Sequence, residues 1–285
     1  MTYWYEPIDS HIKFSDADYF QRQSNFQNRI NEFGYFDAPL GPTSVLYMGT
    51  CDIMSQLPNL KDRWIEKVQL ALNPEVPLMS VGSIAAGLAS MIRRLHAFIQ
   101  NNGAPSILRL TVARFDGYEF VNSSGKCYNV NSRIGSPQFL KRRNLLTDEQ
   151  FNLWEEQVCS FKKLDSENVR YVLEERFAFL ELMCKAYNIS LQWSFNLSDA
   201  CIVVLHNNID LFKSITPFMQ QAFVGCPELK DNLSDRSMGI ETHSELSKLF
   251  ISPKVFNFDD LKLTANNNYQ WLKNKYSIDL IKNEN

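Results

Sequence analysis

The fold class is decided by the stretch from Ser44 to Pro58, SVLYMGTCDIMSQLP. An apolar run, Val45 to Met48, is followed by Gly-Thr-Cys-Asp and then by residues that are compatible with a helix. A buried parallel strand that runs into a tight turn before a helix has this pattern, and such turns often carry functional side chains. Cys51 in this turn has three interpretations: a nucleophile, the relic of one, or a small buried residue.

Apolar runs and amphipathic segments alternate after this turn. NLKDRWIEKVQLAL is spaced for an amphipathic helix, VPLMSVG predicts a second buried strand that ends at Gly82, and LASMIRRLHAFIQNNG predicts a helix that ends at Gly103. SILRLTVARF and ISLQWSF predict two more strands, whereas ACIVVLH fits a strand or a helix. The apolar positions of the first helix are Trp64, Ile65, Val68, Leu70 and Leu72. The alternation predicts a three-layer α/β/α fold with a central parallel sheet of about five strands.

The chain has 285 residues, which is enough for one large domain with appendages. Residues 1–43 are polar and aromatic without a clear period, so we interpret them as an N-terminal extension and residues 44–285 as the α/β domain. Residues 116–144 are rich in Gly, Ser and Asn and predict a surface loop over the strand ends.

Composition and charge exclude several classes of function. The formal net charge of -3 gives no reason to expect nucleic-acid binding. No apolar run approaches the roughly 20 residues that span a bilayer, and the N-terminus lacks the features of a secretory signal, so we expect a cytoplasmic protein without a membrane partner. The six cysteines lack CxxC spacing, so we expect free thiols, no metal site and no cofactor.

Three polar or glycine-containing segments follow predicted strands: Gly49–Asp52, Gly82–Gly87 and Arg114–Asp116. Because the carboxyl ends of parallel strands meet at one edge of a sheet, we expect these segments to converge. The two glycines of the second segment permit close backbone approach, and an amide there can donate to an oxyanion. Arg114 suits an anionic group or a sugar hydroxyl, and a structural ion pair is the alternative.

Together with the tail segment DRSMGIETHSELSKLF, these strand ends resemble the SGNH or GDSL-type hydrolase family over roughly residues 44 to 250. The resemblance implies a flavodoxin-like strand order. Cys51 stands where the family has its nucleophilic serine, and Gly239, Thr242 and His243 match the later part of its tail block. The resemblance therefore implies catalytic roles for Cys51, Asp235 and His243, and oxyanion or substrate-binding roles for Gly82, Gly87 and Arg114.

Two departures from the family pattern concern the chemistry. The tail block of the family is Asp-x-x-His, but Asp235 leads to Met238 here, and His243 matches a second histidine that the family does not use as its base. Where the family carries an asparagine that donates to the oxyanion, this chain has TVARFDGYEF, with Arg114 in that region.

Two functions follow from these observations. The first is a non-catalytic protein with a degenerate site, which keeps the fold for binding or assembly. The alternative is an active acyl-ester hydrolase that uses Cys51 on a glycan or lipid ester. The segment CKAYNISLQW is similar to versions of the family in tailed phages, which implies a virion or host-takeover protein in the host cytoplasm. The expected partners are a glycan or acyl-ester ligand, and a protein that docks on the N-terminal extension.

Overall fold

The computed structural model describes residues 41–50, 52–53, 57, 59–82, 87–114, 118–121, 127–130, 147–149, 152, 166–197, 199–213, 222–231, 239–255 and 257–276. Most of the predicted N-terminal extension, residues 1–40, lies outside these ranges, so its boundary stays a prediction. In the described part of the chain, no helix is both long and apolar enough to cross a membrane.

A parallel sheet of five strands forms the centre of the molecule, in the order β2-β1-β3-β6-β7. The order confirms the predicted α/β class with a flavodoxin-like arrangement, in which the strand order reverses at β1 and β3. The strands are β1 Val45–Gly49, β2 Ser80–Gly82, β3 Ile107–Val112, β4 Tyr118–Val121, β5 Cys127–Val130, β6 Ser190–Phe195 and β7 Phe223–Gly225. The helices are α1 Trp64–Leu72, α2 Leu88–Asn102, α3 Ser166–Ala186, α4 Asp199–Asn207, α5 Ile240–Ile251 and α6 Phe258–Tyr276.

The two faces of the sheet are covered by different helices. Helices α1 and α5 pack on one face, where Trp64 stacks on Phe250 with ring centroids 4.8 Å apart. Helices α2, α3, α4 and α6 pack on the other face, over the buried side chains of β1, β3 and β6. Residues of β1 alternate between the two cores, with Tyr47 in the first and Met48 in the second. The strands are therefore buried on both sides, which is why they are continuous apolar runs in the sequence.

The structure corrects the predicted pattern of the first helix. Leu70 and Leu72, expected on its buried face, are 75% and 39% exposed. Leu70 lies two positions beyond the buried Val68, which is about 200° around an α-helix, and Leu72 is the last residue of α1. An apolar residue type at these positions is not enough to place them in the core.

Three further differences concern the middle and end of the chain. ACIVVLH belongs to helix α4, where Cys201, Ile202 and Leu205 share the buried side. The predicted loop at residues 116–144 contains strands β4 and β5, which pair antiparallel. The last strand of the sheet, β7, was not predicted, because it has three residues and short apolar runs do not show a period.

A polar ladder crosses the sheet under α1, buried at two of its strands and half-buried at the third. Tyr47, Arg109 and Gln192 are neighbours in the register of β1, β3 and β6. Arg109 donates to Tyr47 Oη at 2.7 Å and to Gln192 Oε1 at 3.0 Å, and the Tyr47 hydroxyl donates to Gln69 Oε1 at 2.9 Å. Burial raises the pKa of Tyr47 to about 12 although Arg109 opposes this shift, so the ladder holds a neutral phenol at physiological pH.

Gly49, the last residue of β1, has no room for a side chain. A Cβ there would overlap with Thr111 Oγ1 and come within 3.0 Å of Asp52 Oδ1. Gly49→Ala is therefore expected to lower the free energy of unfolding by about 1–3 kcal/mol, as overpacking of a tight site does. Urea unfolding measures this loss. Gly41→Ala is the matched control, because its nearest neighbour is Met79 Cε at 3.9 Å and its stability should equal that of the wild type.

Candidate functional site at the carboxyl edge of the sheet

The carboxyl ends of β1 and β2 meet directly. Gly49 and Gly82 are register partners, and a Cβ on Gly82 would lie 3.2 Å from the carbonyl oxygen of Thr50. Gly82 therefore packs against the turn that leads to Cys51, although Cys51 itself lies outside the described residues. Close backbone approach at this point needs a residue without a side chain. The proposed oxyanion role of Gly82 stays a prediction.

Asp52 is a buried acid that the analysis of the sequence did not single out. Its Oδ1 accepts the Thr50 N–H at 2.8 Å and the Thr50 hydroxyl at 3.0 Å, and its Oδ2 accepts the hydroxyl of Thr111 on β3. Burial raises the pKa of Asp52 above the usual carboxyl range, and these hydrogen bonds oppose the shift. Through these bonds Asp52 connects Thr50, on the other side of Cys51, to the neighbouring strand β3. The feature of the sequence that indicates Asp52 is an acidic residue in the turn after an apolar strand.

The other predicted binding residues lie at neighbouring element ends. Gly87 is the N-cap of α2 with an extended backbone, and its carbonyl oxygen accepts the Met91 N–H at 3.2 Å. Arg114 follows β3 by two residues and is 7% exposed, so most of its side chain is held inside the protein. The predicted oxyanion or substrate-binding roles of Gly87 and Arg114 stay predictions.

His243 is fully buried in the interface between α5 and α1. Its Nδ1 accepts the backbone N–H of Trp64 at 3.1 Å, so the neutral ring carries its proton on Nε2. Trp64 is the first residue of α1. The preceding residue, Arg63, is the N-cap, and its side chain makes no capping hydrogen bond to this helix. His243 thus satisfies one of the N–H groups that every helix leaves unpaired at its start.

The surroundings of His243 keep its ring neutral. Burial, and then the positive charges of Lys67 and Arg63, lower the pKa of His243 to about 3. Lys67 also bridges the same two helices, since its ammonium donates to Ser244 Oγ at 2.7 Å. A base must take up a proton near neutral pH, and this imidazole is placed where the protonated form is disfavoured.

The start of α5 is fixed by Asp231, a second residue that the analysis of the sequence missed. Its Oδ2 accepts the Thr242 N–H at 2.8 Å. Gly239 is the N-cap, and a Cβ there would overlap with the Asp231 carboxylate. Gly239 of the tail block therefore has a structural reason to be a glycine, whereas the bond at Thr242 uses only its backbone N–H. Asp235, the predicted acid, lies outside the described residues. In the described part of the chain, no group of three or more His, Cys, Asp or Glu could hold a metal ion.

The role of His243 can be tested through the pH dependence of stability. The unfolded value is about 6.5, so as the pH falls below it the unfolded chain binds a proton that the folded protein refuses. Stability is therefore lost between about pH 6.5 and about pH 3, at up to ~1.4 kcal/mol per pH unit. In His243→Asn the amide oxygen can still accept the Trp64 N–H but does not titrate, so this loss should disappear. Parallel unfolding curves for the two proteins across this range would contradict the assignment.

His243→Ala is the complementary variant. It leaves a cavity and an unpaired N–H at the start of α1, so the expected loss is about 2–4 kcal/mol at pH 7. Chemical denaturation of both variants compares the two, and His243→Asn should lose less.

Asp52 gives a pH dependence of opposite sign. Its folded pKa is raised, so between the unfolded value of about 3.9 and the folded value the native state holds the extra proton. Stability should fall as the pH rises through this window. Asp52→Asn should be stabilised relative to the wild type by an amount that grows with pH, as followed by urea titrations. Thr111→Val removes a hydrogen bond that lowers the pKa of Asp52, so the fall should extend to higher pH, and an unchanged profile would contradict the contact.

No protein-family model and no curated protein matches the sequence. Solved structures similar to the chain include a member of the lipolytic G-D-S-L family from Veillonella parvula, at 8% identity and a TM-score of 0.41, covering 72% of this chain and 94% of that chain. A carbohydrate acetylesterase family member from Sinorhizobium meliloti is similar at 6% identity and a TM-score of 0.39, covering 83% and 100%. The psychrotrophic esterase EstA from Pseudoalteromonas sp. is similar at 10% identity and a TM-score of 0.40, covering 78% and 98%. At TM-scores below 0.5 and identities of 10% or less, no property of those proteins is carried over to this chain.

Proposed function

We propose that this chain is a binding or assembly protein, which holds an acyl-ester or glycan ligand at the carboxyl edge of its sheet without hydrolysing it. The observation that carries the proposal is the commitment of His243. Its Nδ1 is occupied by the Trp64 N–H, its side chain is fully buried, and its pKa is lowered to about 3. The imidazole is used to join two helices.

Ester hydrolysis by a cysteine needs a group that delivers a proton to the leaving alkoxide, even when a thiolate attacks unaided. The chain has four histidines. His96 is exposed on α2, and His206 stacks on Tyr269 between α4 and α6, with ring centroids 3.9 Å apart. His11 lies in the predicted extension, outside the described residues. The two described histidines other than His243 thus belong to helices on the opposite face of the sheet from α1 and α5.

The strand ends support binding. Gly49 has no space for a side chain, Gly82 packs closely against the Thr50 carbonyl oxygen, and Asp52 connects the turn to Thr111. A turn that is fixed on both sides presents its neighbouring groups in one geometry, which reduces the entropy lost when a ligand binds. The similarity of the segment CKAYNISLQW to tailed-phage versions supports, as part of the proposal, a role in a virion or in host takeover. The aromatic extension would then dock the partner protein.

Hydrolysis of short-chain nitrophenyl esters tests the proposal. We expect background rates for the wild type, for Cys51→Ala and for His243→Asn, since losing the concerted base leaves several orders of magnitude less acceleration. His243→Asn is chosen over His243→Ala because it retains an acceptor for the Trp64 N–H. Robust turnover by the wild type that disappears in Cys51→Ala would overturn the proposal and establish the alternative, a hydrolase that uses Cys51.

A burst measurement separates a relic nucleophile from an inert residue. If the Cys51 thiolate attacks the ester and releases nitrophenolate, but water does not hydrolyse the resulting thioester, nitrophenolate appears in one rapid step without continued turnover, and mass spectrometry finds one acyl group on the protein. Cys51→Ser keeps the size of the side chain and should abolish the burst, because the hydroxyl needs a base that the thiolate does not.

A further inference from the structure

Helix α3 is apolar on its outward side as well as on the side that packs on the sheet. Four of its side chains are buried in the core of the domain: Leu173, Phe177, Leu180 and Cys184. Three large apolar side chains of the same helix are exposed: Tyr171 at 69%, Phe179 at 55% and Leu182 at 64%. At about 100° per residue, the exposed positions lie within about 80° of one another and roughly opposite the buried ones. These three residues form the outer face of α3.

The outer face of α3 differs from an ordinary exposed leucine. Single apolar side chains are common on protein surfaces, and Leu263 of α6, at 60% exposure, is an example. The outer face of α3 instead extends from Tyr171 to Leu182, over about 16 Å of helix. A helix that is hydrophobic on opposite sides is normally buried on both, so this face needs an apolar partner.

The chain before β1 enters the described structure on the same side of the sheet as α3. A Cβ on Gly41 would lie 3.9 Å from Met79 Cε. Met79 belongs to the core that α2, α3, α4 and α6 cover. Residues 1–40, which lie outside the described residues, therefore connect to the domain on the side of α3.

The start of β1 is also close to the C-terminal end of α3. The carbonyl oxygen of Ser44 accepts the Ile107 N–H at 2.9 Å, and that of Ser106 accepts the Ser190 N–H at 2.8 Å. The starts of β1 and β6 are thus two strand spacings apart, which is about 10 Å. Helix α3 ends at Ala186, four residues before β6. The chain that leads into β1 therefore needs to cross only a short distance to reach α3.

One short part of residues 1–40 has the pattern of an amphipathic helix, although the segment as a whole has no clear period. The stretch FQNRINEF has three large apolar residues at i, i+4 and i+7, which share one side of a helix: Phe26, Ile30 and Phe33. Ser24 and Gln27 fit a capping box at the start of this helix, and Gly34 fits its end. The sequence thus predicts a helix over residues 25–33 with one apolar side.

We propose that residues 25–33 form a helix that packs its apolar side on the outer face of α3. The eight residue steps from Phe33 to Gly41 span up to about 26 Å, which exceeds the strand separation of about 10 Å plus one helix diameter of about 11 Å. The charges also match, since the exposed Glu175 lies between Tyr171 and Phe179 on α3, and Arg29 flanks the apolar side of the segment. Amphipathic helices recognise apolar surfaces through anchors at this spacing.

The inference goes beyond the proposed function and is independent of it. It assigns residues 25–33 to the domain itself, and it leaves the aromatic residues at the N-terminus for the partner protein: Tyr3, Trp4 and Tyr5. The outcome of the ester assay does not bear on this contact, because α3 lies on the opposite side of the sheet from α1 and α5.

Hydrogen–deuterium exchange of the full-length protein compares Leu182→Lys with Leu263→Lys. Both leucines are exposed to a similar extent on helices, and lysine is a good helix former, so neither change should unfold the domain. In the wild type, the amides of residues 25–33 should exchange at least about tenfold more slowly than those of a synthetic peptide of the same sequence. Leu182→Lys should abolish this protection, because it places a charge in the apolar contact, whereas Leu263→Lys should retain it.

Other outcomes overturn the inference. Exchange of residues 25–33 as fast as in the peptide shows that they do not pack on the domain. Equal protection in the two variants shows that they pack elsewhere. Light scattering identifies a second copy as the occupant if the wild type is a dimer and Leu182→Lys is a monomer. Protection of residues 148–161 that Leu182→Lys abolishes, with residues 25–33 exchanging freely, assigns the outer face to the segment before α3 instead.

Discussion

The carboxyl ends of β1 and β3 approach so closely, at Thr111, that no side chain fits at Gly49. This constraint sets the geometry of the whole carboxyl edge. It brings the Thr111 hydroxyl to the Asp52 carboxylate, and it lets Gly82 pack against the Thr50 carbonyl. The three strands at the point where the sheet order reverses are thereby held in one arrangement, and any ligand at this edge meets a fixed surface.

On the face of the sheet that carries α1 and α5, side chains distant in the sequence cap the first turn of each helix. Asp231 accepts an N–H at the start of α5, and His243 of α5 accepts the first N–H of α1. The two bonds connect the tail of the chain to its first helix. They also hold the imidazole of His243 in its neutral form, because a ring that is buried among positive charges and already serves as an acceptor is a poor proton acceptor near neutral pH.

A ladder of polar side chains crosses the sheet inside this protein. Tyr47 and Arg109 are buried, Gln192 is half-buried beside them, and hydrogen bonds join the three, as polar groups inside native proteins are expected to be. Gln69 of α1 accepts a hydrogen bond from the Tyr47 hydroxyl, so the ladder also connects this helix to the sheet.

The sequence by itself determined the fold class, because strands buried on both faces must be apolar and their helices amphipathic. It located the ends of β1 and β2 and the stop of α2 at Gly103, whose φ of 85° suits glycine, whereas β3 ends at Val112, before the end of the predicted strand. It did not reveal β7, which is too short to show a period, nor the exposure of Leu70, which depends on where α1 meets the sheet. The contact of Asp52 with Thr111 and the cap that His243 forms on α1 join residues far apart in the chain. Only the tertiary structure determined these contacts, because they depend on which helices and strands become neighbours, and a local sequence pattern does not indicate that.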